Sequence, residues 1–464
     1  MFSQLVFVFS SYLIHIFLGR LFGPEQYGLF GIVLSLMVIV QVFLQKGLPQ
    51  AVSKFIAEYS EQQSAIYYSA TKIQFISALV FTLLYFLSAP ILASLLHDSS
   101  LIPYIRFSSL LILPVAFFSL YTDGFLNGKR VFPQQAYIRI VQSLLKLFFV
   151  FIFIFFGFAI YGAISAYIFS ALVAAFIAHK FIKNNNYSNL KFSQKKILFF
   201  AIPVIISSLV YVLIKNIDLL LIKHILIENQ FAGYYTSAMT LAGVTYFLFA
   251  GLSLVLLPSI SKSLSEKNFI ATKSYINKSL RYILILLIPI TFIISATAHN
   301  LVNLFYSVKF SPAGPALSIL IFGSTFLAIF VLLCSVITGS GKPKTAMLYG
   351  LILIPISIGL NYLLIPLFGI SGAALATTFT AFFGALLTSI YTLKKFKTLV
   401  SFTSFFKILF ASIIVYYFTI QYQFSGIALI LTYFLAFLIY FSLLFTFNEI
   451  KPQDIKLIKN IIKK

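Results

Sequence analysis

The chain has no tryptophan and one cysteine, Cys334, and only 10 of its 464 residues are acidic. A lone cysteine excludes a disulfide framework and any cysteine-based zinc or iron–sulfur centre. Without tryptophan, an interfacial aromatic belt has to be built from the 27 tyrosines and 55 phenylalanines. Charged residues make up 9% of the chain, too little polar surface to cover a soluble globule. Catalytic signatures are missing as well. No HExxH motif or paired-carboxylate cluster falls on an exposed loop, and no loop is large enough to hold the catalytic domain of a membrane polymerase or glycosyltransferase. Gly339-Ser-Gly-Lys342-Pro lacks the spacing and the terminal Ser/Thr of a phosphate-binding loop, which excludes an ATPase. The chain is read as a non-enzyme.

What is present is apolar: 61% hydrophobic residues and a mean hydropathy of +1.02. Counting runs of roughly 20 apolar residues predicts spans at 2–19, 27–45, 73–96, 104–122, 134–156, 159–181, 197–222, 232–257, 281–304, 316–338, 345–367, 370–392, 405–421 and 424–447. This is an all-α, multi-pass membrane protein of about fourteen transmembrane helices, with both termini on one side of the membrane. The first span starts without the basic leader or cleavage site of a signal peptide; either it begins at the interface or the natural start lies upstream. If the termini are cytoplasmic, only Arg20, Lys223 and Lys309 fall in outer loops, and Arg106, Arg139, Lys146 and Lys215 lie within spans. The rest of the 33 basic residues face the cytoplasm, as the positive-inside rule requires. The net charge of +23 therefore reads as orientation and contact with anionic lipids, not nucleic-acid binding.

The chain repeats itself. Asn127-Gly128-Lys129-Arg130 recurs as Ser340-Gly341-Lys342-Pro343, and Leu48-Pro49 as Leu257-Pro258. Phe156-Gly157, Gly162-Ala163 and Ala166 recur as Phe368-Gly369, Gly372-Ala373 and Ala376. Two six-helix lobes in parallel repeat follow: residues 1–182, a basic cytoplasmic linker at 183–196, and residues 197–398. Two further helices occupy 399–448, and a basic amphipathic tail runs over 449–464.

Polar residues inside spans are costly and therefore informative. Arg139, Gln142, Ser143 and Lys146 share one face of the fifth span. With the helix entering near Gln134, Arg139 lies roughly 8 Å deep and Lys146 roughly 18 Å, too deep to snorkel. With no acidic partner on that helix, the pair reads as the cationic wall of a cavity for an anion, joined by Arg106 of the fourth span; a structural polar seam is the bland alternative. Asp123, at the cytoplasmic end of the fourth span, either closes a gate against Lys129 or Arg130 or is a solvated helix-end aspartate. Gln41 and Gln45 either meet sugar hydroxyls or bond across helices, and His15 reads as a hydrogen-bonded packing residue. Lys215 and Asp218, three apart on the seventh span, are expected to pair, either to hold the lobe or to serve coupling and gating.

Arg20-Leu-Phe-Gly-Pro-Glu-Gln-Tyr-Gly-Leu-Phe30, Gly47-Leu-Pro-Gln-Ala51 with Lys54-Phe-Ile-Ala-Glu-Tyr59, and Asp218 followed by Ala232-Gly233-Tyr234-Tyr235 and Ala238 resemble the Wzx-type polysaccharide flippases of the multidrug/oligosaccharidyl-lipid/polysaccharide exporter superfamily. The resemblance implies a flippase that carries polyprenyl-pyrophosphate-linked oligosaccharides from the inner to the outer leaflet of the cell membrane by alternating access. It implies no cofactor beyond a coupling cation, H⁺ or Na⁺, and the chain is read as a monomer. In the related lipid II flippases a sodium site lies among the seventh, eleventh and twelfth helices; Asp218, Asn361 and Thr377 are of suitable type, although a second carboxylate found there is missing around Ile365. The competing readings are a cation-coupled drug antiporter of the same superfamily, which predicts acidic residues in the first lobe, and, further off, a membrane glycosyltransferase or polymerase.

Overall fold

A computed structural model describes residues 2–182, 192–422, 424 and 426–450, without the side chains of 246–255. Most of the expected linker and the tail from 451 onward lie outside the described residues. The helices are α1 (Phe2–Val42), α2 (Leu48–Glu58), α3 (Gln63–Leu95), α4 (Leu101–Ser108), α5 (Ile112–Ser119), α6 (Phe132–Phe155), α7 (Ala159–Ile182) and α8 (Gln194–Leu226). They continue as α9 (Asn229–Ser265), α10 (Phe269–Ala296), the short α11 (Ala298–Phe305), α12 (Ala313–Gly339), α13 (Pro343–Phe396), α14 (Phe402–Gln421) and α15 (Leu429–Thr446). No strand occurs among the described residues. In hydrocarbon every backbone amide must be bonded within its own segment, so an apolar chain of this composition has no alternative to helix.

Two helices are too long for a bilayer core of about 30 Å and fold back on themselves. α1 reverses at Gly23, whose φ of 70° only glycine adopts freely, followed by Pro24. The His15 and Phe30 rings consequently lie 6.2 Å apart, where a straight helix would separate them by roughly 22 Å. α13 reverses at Gly369, φ 57°, which brings the Tyr349 and Tyr391 rings to 6.2 Å. Among the described residues, eleven helical runs are long and apolar enough to cross a membrane. With two of them doubled and α9 added, the chain makes the fourteen spans expected from hydropathy.

Two π-helical turns, Phe43–Gly47 and Leu120–Leu126, interrupt the first half. Such turns strand carbonyl groups. The buried Gln74 amide takes up the loose ends, donating to Leu44 O at 3.1 Å and Ala116 O at 2.7 Å, and Ser119 donates to Gln45 O.

The chain forms two compact units, Met1–Thr236 and Ser237–Lys464. In the first, Leu48, Phe55, Ile66, Phe125, Ala174 and Ile197 belong to one apolar core. α8, expected to open the second lobe, packs here: a Cβ on Gly47 would meet Ala201 O at 2.8 Å. In the second unit α14 and α15 pack on α10, where Tyr440 donates to Ile285 O and Arg281 pairs with Glu449. The repeated glycines agree at one pair and differ at another. Gly157 and Gly369 both take positive φ, whereas Gly128 lies against Ser53 O and Ile56 and its counterpart Gly341 takes a positive φ with no neighbour within 4 Å.

The α1 turn is fastened to the start of α9 backbone to backbone. A Cβ on Gly28 would stand 1.9 Å from Asn229 O, and one on Gly233 1.9 Å from Pro24 O. Gly233→Ala must push these segments apart, with an expected loss of about 1–3 kcal/mol. Its thermal melt in detergent is expected below that of the parent; an unchanged melt contradicts the contact.

Candidate functional site

Pro133 opens α6 at its first turn, where a missing N–H costs nothing, and the polar face then runs from an exposed Arg139 to a buried Ser143 and Lys146. Arg139 is bonded to Asp123, which sits in the second π turn and also accepts from Gln135 at 3.2 Å. Asp123 thus pairs with α6, where Lys129 or Arg130 was expected; the extra residue of a π turn re-aims the side chains around it. One face further along, Lys146 is 4% exposed. Its ammonium lies over the Phe7 ring at 5.1 Å and the Tyr167 ring at 4.8 Å, and no carboxylate among the described residues is within ion-pair distance. Cation–π contact with a desolvated ring stabilises by roughly 2 kcal/mol, whereas burying an ammonium costs several. The two rings offset only part of that cost, so Lys146 remains ready for an anion. His15 stands near enough to interact with its charge and is hydrogen-bonded to Tyr27 at 2.9 Å, as a packing histidine should be. Gln142 is half-buried between Arg139 and Lys146. Gln45 donates to Gln41 at 2.7 Å on its own helix.

Arg106 is not brought to this face. Its guanidinium lies over Phe86 of α3 at 5.1 Å, on a helix whose Leu83, Leu84 and Leu87 are exposed. The 17 residues from Arg106 to Asp123 place it roughly 25 Å away along the span.

Asp218 is buried and accepts from the Tyr235 hydroxyl at 2.5 Å and from Leu219 N at 2.9 Å. Lys215 is within electrostatic reach of it and lies 5.8 Å from the Tyr211 ring. These residues belong to the first unit, and Asn361 and Thr377 to the second. Asn361 and Thr377 are both buried and lie equally far from the Gly369 reversal, about 12 Å along opposing arms of α13. Asn361 donates to Ser357 O, and its Oδ1 has no partner among the described residues. No cluster of three metal-ligating side chains occurs among the described residues.

A second polar centre was not visible in the sequence. Lys223, 2% exposed, pairs with Asp98 at 2.8 Å and also holds Ile227 O. That carbonyl contact accompanies a left-handed Ile227, φ 65°, strained for a β-branched residue. The His97 and His224 rings stack at 5.0 Å beside the pair, with His224 on Leu95 O. Around it opens a cavity of about 430 Å³ lined by Glu25, His97, Asp98, Lys223, Glu228 and Asn229, among others. Asp98 and Lys223 lie far apart in the chain and share no local pattern, so only the fold joins them. Burial raises the Asp98 carboxyl pKa, but hydrogen bonds from Lys223, Ser100 and Asn229 more than offset this, leaving it below the usual carboxylate value.

The family model described as Polysaccharide biosynthesis protein matches residues 1–264, and one described as MatE matches 203–363. The lipid II flippase MurJ of Bacillus subtilis is 24% identical over 71% of this chain and 70% of its own. A putative O-antigen transporter of Shigella flexneri is 21% identical over 80% of this chain and 90% of its own. Among solved structures, lipid II flippase MurJ in an inward closed conformation superimposes with a TM-score of 0.80, covering 97% of both chains at 18% identity; it shares the fold.

Asp98→Asn leaves a buried ammonium without its counter-charge, with an expected cost of about 3–5 kcal/mol. Because the folded-state pKa is depressed, the pair's contribution is complete above about pH 3.9 and is lost as pH falls through the lower folded value. Melting followed from neutral to acid pH is expected to show that acid limb in the parent and not in Asp98→Asn. A limb of equal size in both would assign it elsewhere.

Proposed function

Because the chain belongs to the polysaccharide biosynthesis protein family of the multidrug/oligosaccharidyl-lipid/polysaccharide exporter superfamily, a superfamily of transporters and not enzymes, we propose that it flips polyprenyl-pyrophosphate-linked oligosaccharides from the inner to the outer leaflet. The observation that carries this reading is the buried Lys146 ammonium, held by two rings and by no carboxylate among the described residues, on the same helical face as Arg139. A pyrophosphate supplies the missing negative charge. Asp123 holds Arg139 until an anion competes for it, which makes that pair an exchangeable contact. Gln142, between the two cations, suits a phosphate or sugar oxygen, and the lipid tail stays in the bilayer. The names of two relatives, a lipid II flippase and a putative O-antigen transporter, support the substrate class. A drug or cation antiporter would call for free carboxylates where this unit has lysine and arginine.

In this reading both termini are cytoplasmic, the basic loops rest on anionic lipid headgroups, and the protein acts as a monomer. With a cell interior negative, each anionic charge carried fully outward gains about 2.3 kcal/mol per 100 mV, so the membrane potential itself drives export. Asp218, with Tyr235 and Lys215 beside it in the first unit, is assigned to a coupling proton or sodium ion; Asn361 and Thr377 are buried polar candidates for the same coupling role within the second unit.

Reconstituted protein tests this with fluorescent polyprenyl-pyrophosphoryl sugars. Arg139→Ala and Lys146→Ala are each expected to slow translocation at least about tenfold, a change of about 1.4 kcal/mol, and Asp218→Asn to remove any dependence on an ion gradient. Parent behaviour in all three contradicts the assignment.

A further inference from the structure

We infer that Ser119 couples the Arg139–Asp123 contact to the start of α2, so that an anion taking Arg139 from Asp123 loosens the first π turn; this rests on the transport reading above. The coupling begins with a proline. Pro49 stands in the first turn of α2 and has no N–H. In an α register that N–H would go to Gln45 O, and in the π register of Phe43–Gly47 to Leu44 O. These two carbonyls are the ones that side chains reach. Ser119 donates to Gln45 O at 3.2 Å, and the buried Gln74 amide to Leu44 O at 3.1 Å. The turn thus leans on its neighbours where its own backbone has no donor to offer.

The two supports differ. Gln74 is fully buried, and its amide commits its second hydrogen to Ala116 O at 2.7 Å, which makes it a fixed tie. Ser119 has one hydroxyl hydrogen and two acceptors within reach, Gln45 O and, at 3.5 Å, the Asp123 Oδ2. While Arg139 and Gln135 hold Asp123 through Oδ1, the hydrogen stays with the nearer carbonyl. Once an anion takes the guanidinium, the carboxylate keeps its charge and loses its strongest donor. A hydrogen bond to an ionised acceptor is roughly twice as strong as one to a neutral carbonyl, so the Ser119 hydrogen turns to Oδ2 and Gln45 O is left without it. Thr122, the other hydroxyl beside Asp123, is bonded to Phe118 O in its own helix; its movement frees no carbonyl of the first π turn.

The path onward is short. α2 leaves the first π turn at Leu48 and is seated on the segment that carries Asp123. A Cβ on Gly124 would stand 3.4 Å from Pro49 O and one on Gly128 2.8 Å from Ser53 O, and Asn127 donates to the Ser53 hydroxyl at 3.0 Å. With Asp123 on Arg139 the entry to α2 is latched; with an anion in place it yields. A carrier built this way changes shape when loaded and stays closed when empty.

The test is hydrogen–deuterium exchange of residues 43–50 in nanodiscs, with polyprenyl pyrophosphate, with uncharged polyprenol or with neither, and with α14 as the reference segment. In the parent, polyprenyl pyrophosphate is expected to raise exchange there at least about threefold, and polyprenol to leave it unchanged. Arg139→Ala, which frees Asp123 without any ligand, is expected to raise it by a similar factor. Ser119→Ala is expected to start from raised exchange and to respond neither to the pyrophosphate nor to Arg139→Ala added to it. A serine with a merely structural role would give additive effects instead. Additive effects of the two substitutions, or exchange in Arg139→Ala equal to that of the parent, overturn the coupling. If Arg139→Ala acts as expected and the pyrophosphate has no effect, the anion assignment falls and the coupling stands. If lipid-linked glycans are translocated while residues 43–50 exchange alike in the parent, with and without pyrophosphate, and in Arg139→Ala, the coupling falls alone.

Discussion

A charge taken out of water has to be met by an opposite charge, a hydrogen bond or a ring face, and the polar organisation of this chain follows from that demand. Lys223 meets it with Asp98, Arg139 with Asp123, and Arg281 with Glu449. Asp218 meets it with the Tyr235 hydroxyl. Lys146 has two aromatic faces and, among the described residues, no carboxylate. Among these ions it is the one whose counter-charge has to come from outside, and that difference separates a ligand site from a structural pair.

The same demand, applied to the backbone, explains the scaffold. Peptide groups in lipid are bonded inside helices, so irregular backbone appears only where something answers for it. Gln74 does so at the first π turn, and glycine at the two reversals. The two most distinctive sequence stretches, around Gly23–Gly28 and Ala232–Tyr235, turn out to touch each other. Gly28 and Gly233 let the α1 turn and the start of α9 meet without side chains between them, and Glu25 is left lining the cavity beside them. Residues that mark the family therefore serve first to close a joint, and the polar cavity is built on that joint.

Span number and the helix-only fold were legible because hydropathy is a local signal; of the repeated glycines, Gly157 and Gly369 both take positive φ, while Gly128 and Gly341 do not match. Lys146 was legible for the same reason, as a cation too deep to reach water. Partners were not. Asp123 was assigned to its neighbours in sequence, whereas a π turn directs it to α6. Asp218, expected to meet Lys215, also takes the hydroxyl of Tyr235 from the next helix, which spacing does not point to. Arg106 shares charge with the α6 face but sits far along the span, a separation that depends on where α4 packs. Asp98, His97 and His224 were invisible, since two loops more than a hundred residues apart meet only after folding. The packing of α8 in the first unit likewise depends on side-chain fit at Gly47, which periodicity does not report.

The central claim is that Lys146 waits for a phosphate-borne charge. Native mass spectrometry of the detergent-solubilised protein, comparing retention of polyprenyl pyrophosphate with that of the uncharged polyprenol, reads this without requiring turnover. If Lys146 is the anchor, the parent retains the pyrophosphate in preference, and Lys146→Met loses that preference while still holding polyprenol. Equal preference in the parent and the variant contradicts it.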